Sequence, residues 1–87
     1  MTVQYQVELE KVDEEIVRGI IFYCENDVRT VHNIFETHID SPNWFINEMA
    51  SWLDKPNCRF SPRQQPFNVG KAKTNKGLVK KFFENFK

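Results

Sequence analysis

Residues 3–10 alternate strictly, with Val3, Tyr5, Val7 and Leu9 on one side and Gln4, Gln6, Glu8 and Glu10 on the other. A period of two with one polar face is the pattern of a half-buried strand, here predicted over about residues 2–10. Residues 16–24 are apolar on both faces and rich in β-branched and aromatic side chains. Gly19 in their middle disfavours a helix by about 1 kcal/mol relative to Ala. They are read as a second, more buried strand that follows a turn at Asp13 to Glu15 and completes an antiparallel hairpin. A helix stays open for this segment, because Asp13 can cap it and Ile16, Ile20 and Cys24 fall at i, i+4 and i+8.

The pattern then changes to a helical period. Asn26 or Asp27 can cap a helix over about 27–39, whose apolar stripe is Val28, Val31, Phe35 and Ile39. Ser41 and Pro42 form a start signal, with Ser as N-cap and Pro in the first turn, for a helix over about 42–54. Phe45, Ile46, Met49, Trp52 and Leu53 share its apolar face, and Pro56 limits its end. A third helix is predicted over about 75–87, with Leu78, Val79, Phe82, Phe83 and Phe86 on one face. Between the last two lies an irregular loop at about 56–74, which Phe60, Phe67 and Val69 can pin to the core, in part through a short strand. The expectation is one α+β domain over 1–87: a small hairpin packed against two or three helices.

Composition adds bounds. Eight Phe, two Trp and two Tyr supply the large buried area that an 87-residue core needs. Two cysteines, Cys24 and Cys58, do not make the disulfide framework of a small secreted domain. No signal-peptide pattern opens the chain, and Ile20 to Cys24, its longest apolar run, is far short of the ~20 residues that span a bilayer. The expected location is the cytoplasm, away from membranes. The excess of Asn, Lys, Phe and Ile over Ala matches AT-rich coding sequence and suits a phage or mobile-element protein.

The net charge of zero conceals a split. Residues 1–54 carry −8 and residues 55–87 carry +8. Compensation between the halves of one fold is one reading. A second gathers Arg59, Arg63, Lys71, Lys73, Lys76, Lys80 and Lys81 into a phosphate-binding surface for nucleic acid. A third has the acidic half imitate a nucleic-acid backbone in a protein's basic groove. A homodimer that joins the acidic half of one chain to the basic half of another also fits.

Catalytic and metal motifs find little support. Gly70 to Gly77 resembles a phosphate loop only until Leu78 follows where Lys-Ser/Thr is required. Cys24, His32, His38 and Cys58 lack zinc spacing, and two His six apart on a helix point about 240° apart. No local motif pairs a Cys or Ser with a His. Trp44 sits about 140° from the centre of the apolar face of its helix. It either packs on a neighbour or, with Asn43, Asn47 and Glu48, anchors a protein interface. The expected function is therefore non-enzymatic and needs no cofactor: an inhibitor or adaptor that occupies a macromolecular partner, protein ahead of nucleic acid. The alternative is a nucleic-acid-binding module built on the basic C-terminal third.

Overall fold

The computed structural model describes residues 4–62 and 73–84. Three antiparallel strands come first: β1 (Tyr5–Lys11), β2 (Ile16–Glu25) and β3 (Val28–His38). Helix α1 (Asn43–Leu53), the short β4 (Cys58–Phe60) and helix α2 (Asn75–Glu84) follow. The molecule is α+β, with a four-stranded mixed sheet in the order β3-β2-β1-β4 and β4 parallel to β1.

The turns explain the meander. The Asp13 carboxylate accepts the amides of Glu15 and Ile16 at 2.8 and 2.9 Å, an Asx turn that closes β1 onto β2. Asn26 and Asp27 both adopt positive φ, 53° and 66°, as the two central residues of a type I′ hairpin require. These two residues therefore do not cap a helix. They turn β2 directly into β3, and the expected helix over 27–39 is a strand. Its β-branched residues Val28, Thr30, Val31, Ile34 and Thr37 suit extended backbone, and pairing with the full length of β2 satisfies the amides that face that strand. The two-strand hairpin of the sequence reading thus becomes a three-strand meander, and the helices number two among the described residues.

Side-chain alternation sorts the sheet into two faces. Tyr5, Val7 and Leu9 of β1 pair with Tyr23, Ile21 and Gly19 of β2, while Val17 and Gly19 pair with Thr37 and Phe35 of β3. This face is covered. Val7, Val17 and Ile21 are fully buried, and with Phe45, Ile46, Met49, Leu53, Val79, Phe82 and Phe83 they form the core. The chain leaves β3 at one edge of the sheet and re-enters as β4 at the other, so α1 must cross the face. Eleven residues of helix span about 16 Å, and three inter-strand spacings span about 14 Å, so the helix matches the width it crosses.

Pro42, not Ser41, is the N-cap of α1, and no side chain caps it. The Ser41 amide instead donates to the His38 carbonyl in the turn that leaves β3. In α2 the Thr74 hydroxyl accepts the Gly77 amide at 3.1 Å, a side-chain N-cap that agrees with the expected start near residue 75. Phe83 meets Phe45 edge-on at 5.7 Å, which fastens α2 onto α1. Phe67 and Val69, like Phe86 at the end of the third predicted helix, lie outside the described residues.

Candidate functional site

Among the described residues, no helix lies on the second face of the sheet. This face presents Gln6, Glu8 and Glu10 from β1, Ile16, Arg18, Ile20, Phe22 and Cys24 from β2, and Arg29, Val31, Ile34 and Glu36 from β3. None of these residues is buried. A sheet with one wet face ordinarily keeps that face polar. Here β1 obeys the rule, whereas β2 and β3 place an apolar cluster at its centre. Val31 is 55% and Ile34 51% exposed, and Ile16, Ile20 and Phe22 beside them are half-buried.

Two rungs of charge frame this cluster. On one side Arg18 bridges Glu10 of β1 at 3.1 Å and Glu36 of β3 at 2.7 Å. The two carboxylates raise the Arg18 pKa, chiefly through the hydrogen bond to Glu36. On the other side the Arg29 guanidinium lies 4.1 Å from the centre of the Phe22 ring and reaches Glu8 at 2.9 Å. The buried Ser61 hydroxyl donates to the same Glu8 oxygen at 2.8 Å. Each arginine thus holds its head on an acid, and that of Arg29 also covers the Phe22 ring. The exposed gap lies between them, at Ile20, Val31 and Ile34.

The sequence-derived candidates fall elsewhere. Trp44 is 47% exposed on α1 and touches only the edge of Phe45 among described rings, at 5.9 Å. Asn43, Asn47 and Glu48 are exposed on the same helix, across the sheet from the apolar gap. Of the basic set, Lys73, Lys76 and Lys80 are exposed on or before α2, Lys81 is half-buried, and Arg59 lies on β4; Arg63 and Lys71 fall outside the described residues. Near the start of α2 the Asp54 carboxylate accepts a hydrogen bond from the Asn75 amide at 2.7 Å, so an acid already stands beside Lys73 and Lys76. Arg18 and Arg29 pair with acids of their own acidic half rather than with acids of the basic half.

The histidines sit on a strand rather than a helix, and they separate by environment. His32 is the extra residue of a β-bulge, because Ile21 faces Asn33 while Phe22 faces Val31. Its ring joins Tyr5 and Trp52, at 5.3 and 5.5 Å. His38 lies within 3.7 Å of Glu15 and 3.6 Å of Asp40. Neither imidazole bonds a cysteine, and among the described residues no three His, Cys, Asp or Glu gather as metal ligands do. Both thiols are free, with Cys58 buried and Cys24 half-buried. Burial pushes the Cys58 pKa up to about 11, against a smaller opposing effect of Lys55. Cys24 opens on a groove of about 780 Å³ at the β2–β3 turn, beside Gln4, Gln6, Tyr23 and Arg29.

Sequence reasoning missed the apolar gap because it placed Val31 and Ile34 on a helix. The signal that could have found it was Asn26-Asp27 between two β-branched runs, a hairpin turn with strand on both sides. No helix among the described residues is long and apolar enough to cross a membrane. No protein-family model matches the chain, and no match is found among curated proteins or solved structures.

Proposed function

We propose that this protein is a non-enzymatic binding module, of inhibitor or adaptor type, that engages a protein partner through the open face of its sheet. The observation that supports this reading is the exposed apolar gap at Ile20, Val31 and Ile34, framed by the Arg18 and Arg29 ion-pair rungs. A contiguous apolar patch rimmed by charge is how protein interfaces are built, with a dry centre and a polar rim. On this face the three carboxylates of Glu8, Glu10 and Glu36 hold, and outnumber, the two guanidinium groups of Arg18 and Arg29. It therefore offers no excess positive charge to phosphate.

Affinity capture with three forms of the chain tests the proposal. The parent should retain a protein, Ile20→Lys should lose it, and the combined Lys73→Glu, Lys76→Glu, Lys80→Glu variant should keep it. Ile20 lies on β2, away from the sheet edge, and its side chain faces out of the core, so a melt of the variant should stay within a few degrees of the parent. Retention of nucleic acid by the parent, lost in the triple variant, would replace this reading with the alternative one. Equal retention by Ile20→Lys would move the interface elsewhere, with Trp44 the next place to look.

A further inference from the structure

The long strand β3 is an edge. Its eleven residues pair with β2 on one side, and no described strand lies on the other. Such an edge invites a further strand unless something blocks it. One block is visible. The Asn33 side chain accepts the Ile34 amide at 2.9 Å, so this N–H on the free edge is taken by its own neighbour rather than left open for a further strand.

The bulge at His32 decides which strand fits. In a regular strand, two identical edges related by a two-fold axis through the sheet can pair on a common face only when the paired residue numbers sum to an even number. The bulge changes that phase. On the open face β3 presents odd positions before it, Arg29 and Val31, and even positions after it, Ile34 and Glu36. An even sum therefore keeps side chains on matching faces within one limb of β3 only. The sum of 65 keeps them matched in both limbs. It sets Val31 opposite Ile34 of a second copy and Arg29 opposite Glu36 of that copy. It also sets Thr30 opposite Phe35 and Val28 opposite Thr37 on the other face. Each of these four pairs is apolar with apolar, opposite in charge, or β-branched with a compatible neighbour.

We infer that β3 pairs antiparallel with β3 of a second copy in this register. Two four-residue ladders flank the bulges, and the two meanders join into one continuous sheet. Arg29 uses Nη1 on Glu8 and Glu36 uses Oε2 on Arg18, so each keeps its own partner while unlike charges come to face each other across the seam. The dimer brings the two exposed apolar gaps side by side on one surface. A single strand seam covers less than the ~800 Å² per partner of a stable dimer, and Asn33 competes for one donor. The association is therefore weak, with a dissociation constant on the order of 100 µM.

The test uses purified chain alone, so it can fail while the capture experiment succeeds, and the reverse. Val31→Cys and Ile34→Cys proteins are made separately, each with Cys24→Ser to remove the half-exposed thiol. In a mild thiol–disulfide buffer the mixture should form covalent dimers, while each protein by itself should stay monomeric, since like positions lie too far apart for a disulfide. Sedimentation equilibrium of the parent should show the mass rising above 10.4 kDa toward twice that value with concentration. Asn33→Ala should shift that rise to about fivefold lower concentration, because it frees the Ile34 donor. A parent that stays monomeric at about 1 mM, far above the expected constant, overturns the inference. So does a mixture that fails to cross-link, or cross-linking of either cysteine variant by itself.

Discussion

Gly19 shows how one residue sets the distance between layers. A β-carbon built there would stand 2.6 Å from Met49 Sδ and 2.9 Å from Phe45 Cζ, closer than real contacts allow. Both side chains are fully buried, so α1 lies directly on the glycine. The sequence reading noticed Gly19 only as a helix breaker; its use in packing depends on which residues sit above it, and no local pattern carries that. Gly19→Ala should cost about 1–3 kcal/mol, seen as a lower denaturant midpoint at unchanged slope. An unchanged midpoint would mean that α1 does not rest on this strand. Cys58 gives a second test at this scale. Burial raises its pKa to about 11, so the folded state favours the neutral thiol. The sign follows from linkage: the unfolded thiol ionises first, and stability is lost as pH climbs from about 9 toward about 11. Relative to Cys58→Ala, the parent should lose about 2 kcal/mol more across that window in pH-dependent unfolding. Parallel curves for the two proteins would refute the assignment.

At the scale of elements, what a local period could show was legible and what long-range pairing decides was not. The alternation of Val3 to Leu9, the start of α1 near Pro42 and the start of α2 near Asn75 were all visible in the chain. So were the buried Phe45, Met49 and Phe82. Strand β3 was not, because Val28, Val31, Phe35 and Ile39 satisfy a helical spacing as well as a strand, and ten residues of β2 outweigh that preference by offering a full ladder. The bulge at His32 hides the strand further, since it breaks the period of two that would have marked it. The same error concealed the candidate site, whose two most exposed apolar residues lie on β3. The hairpin turn gives the matching prediction. Asp27 holds a φ of 66° that glycine adopts without strain, so Asp27→Gly should raise stability by about 0.5–1 kcal/mol. A loss of stability in thermal melts would show that Asp27 contributes more than its backbone shape.

For the whole molecule, the described ion pairs between arginine and glutamate lie within the acidic half, so the charge split of −8 over residues 1–54 and +8 over residues 55–87 stands beside them. The acidic half uses its own Arg18 and Arg29 to tie β1, β2 and β3 together across the open face. The same pairs shield Phe22 and leave Ile20, Val31 and Ile34 uncovered, so electrostatics and the apolar gap belong to one design. Helices cover one face because α1 must travel from the β3 edge to the β4 edge, and no described helix lies on the other face, where the proposed partner would bind. Amide NMR of labelled chain, at fixed chain concentration, with the captured protein titrated in, tests this account most directly. Shifts should concentrate at Ile16 to Cys24 and Arg29 to Glu36. Shifts centred on Trp44 and its α1 neighbours, or on Lys73, Lys76 and Lys80, with the sheet amides unmoved, would contradict it.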